Sequence, residues 1–154
     1  MGLLLASQSF LGEGMKRGVL IAFIAVSFAG FLDAAFLTLE HFLNRIPPCG
    51  VGGCEIVTTS AYSAIFGVPV AFLGAIYYFL MFAGAIFSWQ KGNDSYFNLL
   101  GRATWIGLIS SIWFVYAQFF ILHAVCWYCL FSALTSTTLF IFGMSWRNKS
   151  KMVV

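Results

Sequence analysis

Of the 154 residues, 61% are apolar, 19% aromatic and only 8% charged, and the net charge is +3. A soluble domain carries about a quarter charged residues, so this chain cannot cover a globule in water, and so small a charge gives no sign of a nucleic-acid partner. Its natural solvent is the lipid bilayer.

The first 13 residues are a poorly informative tail. Ala6 stands where a myristoylation motif wants Ser or Thr, and no basic residue opens the segment as in a signal peptide. Lys16 and Arg17 flank the first of four segments that reach the roughly 20 apolar residues a spanning helix requires. These segments are 19–39, 68–89, 103–122 and 125–146. The first holds one charged residue, Asp33, and the others hold none. A carboxyl group inside the membrane is costly and marks function by default. A protonated, hydrogen-bonded packing residue is the equal alternative.

The connection 40–67 is long and carries Pro47, Pro48, Cys49, Gly50, Gly52, Gly53 and Cys54. The next link, 90–102, is short and polar. Only His123 and Ala124 separate the last two segments, and helices joined so tightly are antiparallel neighbours. The expectation is one all-α, integral membrane four-helix bundle over 19–146, between cytoplasmic tails 1–18 and 147–154.

Orientation follows from Lys and Arg in short loops, which stay cytoplasmic. With four crossings, Lys16, Arg17, Lys91, Arg102, Arg147, Lys149 and Lys151 share one side, and Arg45 lies on the other. Both termini are therefore expected in the cytoplasm. Cys49, Cys54, Cys126 and Cys129 then share the extracytoplasmic face, in a compartment where disulfides persist.

Cys126-Trp-Tyr-Cys129 opens the last helix, where free backbone N–H groups and the helix dipole favour the reactive thiolate. Its spacing keeps both sulfurs on one helical face. The Gly-Val-Gly-Gly insert between Cys49 and Cys54 predicts a flexible pair able to meet a partner with one sulfur and the helix pair with the other. Two structural disulfides are the bland alternative. A four-thiolate zinc site would be poorly solvated at a membrane helix, and haem attachment fails because Leu130, not His, follows Cys129. His41 and His123 fall at the outer interface as proton relays or as ordinary interfacial residues. Trp127 and Tyr128 are either anchors or walls of a quinone pocket.

The ordered combination resembles the vitamin K epoxide reductase family, in a compact prokaryote-like form without a fused thioredoxin domain. It comprises the run Phe31-Leu-Asp33-Ala-Ala-Phe-Leu-Thr-Leu-Glu-His41, the pair Cys49 and Cys54, Ser60-Ala-Tyr62, Gly67-Val-Pro69, Gly74, and Cys126-x-x-Cys129. The resemblance implies a four-helix bundle around a quinone, with a short half-embedded extracytoplasmic helix after the loop cysteines. It implies a quinone of menaquinone or ubiquinone type as electron acceptor, no metal, a thioredoxin-like partner and a prokaryotic cytoplasmic membrane.

Residue by residue, Cys49 and Cys54 take the place of the shuttle pair, Cys54 attacks Cys126, and Cys129 faces the quinone. Ser60 matches a serine that orients the site, and Tyr62, Asp33 and His123 are the other supporting or quinone-facing candidates. Val70 and Ala133 stand where the animal enzymes hold vitamin K with Asn and Tyr, which points to plain quinone reduction ahead of epoxide reduction. The unrelated four-helix bacterial disulfide oxidase has its two cysteine pairs in the reverse order. The remaining alternative is a non-enzymatic membrane scaffold with structural disulfides.

Overall fold

The computed structural model describes residues 2–48, 53–92 and 94–152. Its elements in order are helix α1 (Gly2–Phe42), the short helix α2 (Cys54–Thr59), a 3₁₀ turn (Ala61–Ser63), strands β1 (Ala64–Ile65) and β2 (Val68–Pro69), and helices α3 (Val70–Lys91), α4 (Asp94–Tyr116) and α5 (Trp127–Met152). A π-helical turn, Ala117–Ile121, extends α4. Four stretches are long and apolar enough to cross a membrane: Lys16–Phe42, Val70–Lys91, Ser95–Ile121 and Trp127–Arg147. The fold is thus an all-α integral membrane bundle, as expected. The expected tail is itself helical from Gly2, continuous with the first span.

These segments are helical because a backbone in lipid must satisfy every N–H and C=O within itself. Side-chain hydroxyls obey the same demand. Thr38 Oγ1 donates to the Ala34 carbonyl at 2.6 Å, Ser27 Oγ to Ile24 at 3.0 Å and Thr104 Oγ1 to Gly101 at 2.9 Å. At the end of α3, Gly92 adopts φ 59°, ψ 25°, and its N–H closes the helix on the Ser88 carbonyl at 3.0 Å.

The helices form a ring in which α1 packs on α3 and α5, and α4 on α5 and more lightly on α3. Lipid tails are as apolar as leucine, so close packing rather than the hydrophobic effect holds such helices together. The α4–α5 seam shows how close: a Cβ on Gly143 would sit 3.0 Å from Gly101 Cα. Away from the cysteines, Phe97 is fully buried, with its ring 5.0 Å from Phe23 of α1 and 4.5 Å from Trp146 of α5.

At the other end, the connection from α1 to α3 folds over the bundle. Strands β1 and β2 pair antiparallel through Phe66 and Gly67, with φ 52° and 81°, the left-handed pair of a two-residue hairpin. Nothing in the composition of 40–67 predicts this hairpin, because a left-handed Phe is not a turn signal. Phe66 is fully exposed at its tip.

Candidate functional site: a two-sided cysteine pair

Cys126 is the last residue before α5, and its Sγ accepts from the N–H of Cys129 at 3.4 Å. A sulfur thereby fills the role that Ser or Asp plays at other helix starts, three residues ahead of an unsatisfied donor. Both Cys126 and Cys129 are free thiols. Their sulfurs lie 2.7 Å apart, with the Cys129 thiol donating to Cys126. That donated bond is the chief reason the Cys126 thiol lies below its ordinary value. Burial opposes the effect, and the N–H groups of Cys129 and Tyr128 reinforce it. Cys126 is therefore the better nucleophile for thiol exchange.

The two sulfurs face different neighbours. Cys129 lines a cavity of about 600 Å³, and Cys126, fully buried, does not. Behind Cys126 lies the other cysteine segment. Gly53, at φ 149°, lies against the Val125 backbone so closely that a Cβ there would stand 2.8 Å from the Val125 carbonyl oxygen. This is a position for glycine alone, both by conformation and by space. The Tyr128 hydroxyl donates to the Pro48 carbonyl at 3.4 Å, and its ring packs at a tilt against Phe36, with 5.4 Å between centroids. Pro48 and Gly53 are thus both seated on the start of α5. Cys54 is buried and disulfide-bonded, and its partner is neither Cys126 nor Cys129. Cys49 lies outside the described residues.

The cavity is lined by α1, α2, the 3₁₀ turn, α3, α4 and α5, with Leu37, Leu73, Ile106, Phe114 and Leu122 among its apolar walls. Glu40, His41, Asn44 and Arg45 also line it, at the loop end of α1. Its volume is that of a site for a small organic ligand, and Cys129 offers a redox sulfur in its wall. Ser60 and Tyr62 both line it. Ser60 caps the 3₁₀ turn, donating from Oγ to the Val57 carbonyl at 2.8 Å while its own carbonyl accepts from Ser63 Oγ at 2.7 Å. Val70 and Ala133 line it too, so both positions present apolar side chains to a ligand.

Asp33 does not line the cavity. Its Oδ2 is buried without a hydrogen-bond partner among the described residues, within electrostatic reach of Cys126, Cys129 and Tyr78. His123 is exposed, in a left-handed conformation (φ 46°), and lies off the cavity, whereas His41 lines it. Trp127 and Tyr128 also lie off it. Among the described residues, no group of three or more His, Cys, Asp or Glu side chains comes together as a metal site.

Two contributors are absent from the sequence expectations. Tyr78 of α3 donates to the Ser132 carbonyl at 2.6 Å and lies 2.8 Å from Thr135 Oγ1, bracing α5 one turn beyond Cys129. Gln118, in the π-helical turn, accepts the Cys126 N–H on Oε1 at 3.1 Å. The signal for Gln118 was present: it is the one side-chain amide in the segment 103–122.

A thiol-disulfide oxidoreductase from Arabidopsis thaliana is 29% identical over 123 residues, covering 73% of this chain. The chain spans about a third of that relative's length (32%). Residues 21–144, which reach into all four spans and contain all four cysteines, match the model of one family, and the chain belongs to the vitamin K epoxide reductase family.

Proposed function

We propose that this protein is a quinone-linked thiol oxidoreductase that draws electrons from a thioredoxin-like extracytoplasmic partner and so supports disulfide formation in exported proteins. The observation that carries the reading is the two-sidedness of the inner pair: Cys129 in the cavity wall, Cys126 behind it and next to Val125, on which Gly53 sits.

In the forward direction, the partner's dithiol reduces the loop pair, Cys49 and Cys54. The Cys54 thiolate attacks the Cys126 sulfur of an oxidised inner pair, releasing Cys129 as a thiol. Cys49 then attacks Cys54, closing the loop disulfide and leaving Cys126 and Cys129 both reduced. Thiolate attack through a mixed disulfide needs only reach and access, which the contact of Gly53 on Val125 supplies. The inner pair returns to a disulfide as Cys129 delivers two electrons into the cavity. A quinone bound there takes up those electrons with two protons and leaves as quinol. The sum is one partner dithiol and one quinone giving one partner disulfide and one quinol. Asp33, within electrostatic reach of both sulfurs, handles the protons in this reading. Ser60 and Tyr62 shape the cavity.

The apolar Val70 and Ala133 favour plain quinone reduction over epoxide reduction, because neither can hydrogen-bond or protonate an epoxide oxygen. Free thiols at Cys126 and Cys129 disfavour a scaffold held by structural disulfides. In this reading both termini lie in the cytoplasm of a prokaryotic cell with the cysteines outside, and the excess of Lys and Arg on the side of the termini supports that orientation.

An anaerobic assay of the purified protein with a reduced thioredoxin-like protein should give quinol from ubiquinone or menaquinone analogues, one per partner disulfide formed. No quinol with any of these acceptors, from protein whose thiols still exchange with the partner, would remove the quinone from the scheme.

A further inference from the structure

Gln118 is 2% exposed, and both its backbone and its side chain are committed at one end. The π-helical turn in which it lies closes with the Leu122 N–H on the Ala117 carbonyl at 2.8 Å. The Gln118 carbonyl accepts from the Ala124 N–H at 3.1 Å, and its Oε1 accepts from the Cys126 N–H, also at 3.1 Å. The amide's orientation is therefore fixed by chemistry. A backbone N–H is only a donor, so the atom facing it must be the oxygen, and the NH₂ must point the other way. That NH₂ has no hydrogen-bond partner among the described residues, and Gln118 lines the same cavity as Cys129. A donor that opens onto a cavity in this way is free to bond a ligand there, and π-bulges recur where function has displaced regular helix.

Of the other polar groups that line the cavity with Gln118, none reaches back to the cysteine pair as its amide does. The Tyr78 hydroxyl is engaged with Ser132 and Thr135. Tyr77 Oη and Ser136 Oγ are closed off from solvent and crowd Gly107. Val70 and Ala133 offer no donor at all.

Resting on the quinone reading above, we propose that the Gln118 side-chain NH₂ is the hydrogen-bond donor that holds one carbonyl oxygen of the quinone beside Cys129. Its Oε1 meanwhile pins Cys126 at the start of α5. One side chain thereby sets the position of the acceptor and of the inner pair together. As Cys129 passes electrons into the cavity, negative charge grows on the carbonyl oxygen, and a donor already aimed at it stabilises that charge without reorganisation. No proton moves from Gln118; it contributes a hydrogen bond only.

The test is equilibrium binding of duroquinone to the full chain in phospholipid nanodiscs, with the inner pair oxidised so that no turnover occurs. Duroquinone is fully substituted and cannot arylate a thiol, and its two carbonyls are equivalent in lipid. Bound to the wild-type protein, its single carbonyl stretch should split, one component moving to lower frequency. In Gln118→Leu the split should collapse and the Kd should rise roughly tenfold, the size of a lost hydrogen bond. A purely structural role for Gln118 would leave the carbonyl frequencies alone. An unsplit band in the wild-type protein overturns the proposal without any variant, as does a split that survives Gln118→Leu. Failure of the wild-type protein to bind duroquinone at all would instead overturn the quinone reading on which the proposal rests.

Discussion

Cys129→Ala is expected to abolish quinone reduction with a protein partner and with dithiothreitol alike, by roughly a thousandfold or more, as the loss of a reacting group does. The reason lies in which sulfur meets the cavity. Cys129 lines it and Cys126 does not, so no other thiol of the inner pair can deliver electrons there. Cys54→Ala should behave differently. It removes the sulfur proposed to attack Cys126, so protein-driven turnover should vanish, yet a small dithiol that reaches Cys126 directly should sustain part of the activity. The same substitution in Cys129 removes the thiol that donates to Cys126 Sγ at 2.7 Å. Since that bond is the largest influence holding the Cys126 thiol low, Cys126 in Cys129→Ala should react with iodoacetamide only at higher pH. The paired readout is turnover with each donor and the pH profile of alkylation. Equal loss of both activities in Cys54→Ala would show that the loop sulfur is not upstream of the helix pair.

Gly53→Val should uncouple the two cysteine pairs while leaving each chemically intact. The residue sits at φ 149° with the Val125 carbonyl oxygen 2.8 Å from where a Cβ would be. A branched side chain there must move backbone against backbone, since the obstacle is not the tip of a flexible side chain. The adjoining Cys54 would be carried away from the Cys126 segment. Misplacement by about 1 Å costs reacting groups on the order of a hundredfold in rate. Protein-driven turnover should therefore fall by about that factor, while dithiothreitol-driven quinone reduction, which bypasses the loop, stays close to wild type. Comparing the two rates in one preparation separates this from general unfolding, which would lower both. A Gly53→Val protein with unimpaired protein-driven turnover would mean that the seat on Val125 does not set the transfer distance.

The spans and the convergence of the cysteines were legible in the sequence because lipid imposes simple arithmetic. Apolar runs of fixed length must be helices, and their number sets which loops share an end. Cys126 at the start of α5 followed from the same counting, since only two residues separate the last two spans. Other features depend on contacts far apart in the chain. Gly53 reads as one more glycine in a flexible loop until Val125, 72 residues later, is seen against it. Tyr78 looks like a lipid-facing aromatic until Ser132 and Thr135 are found at its hydroxyl. The expectation of a free, flexible loop pair is tempered for the same reason. Cys54 is buried, and Pro48 and Gly53 are each fastened to the start of α5. Gln118 was the most readable omission: the one side-chain amide in its span has to be satisfied, and it meets the N–H of a helix start eight residues on.

The central claim is that electrons leave the protein through the inner pair into a quinone, and single-turnover stoichiometry tests it most directly. Protein reduced at Cys126 and Cys129, freed of excess dithiol, is mixed anaerobically with one equivalent of a ubiquinone analogue. Quinol is followed by absorbance and the cysteines by mass spectrometry of unreduced peptides. The account predicts one quinol per protein, appearing together with a Cys126–Cys129 disulfide. Quinol formed while Cys126 and Cys129 remain free thiols, or a disulfide formed without quinol, would contradict it.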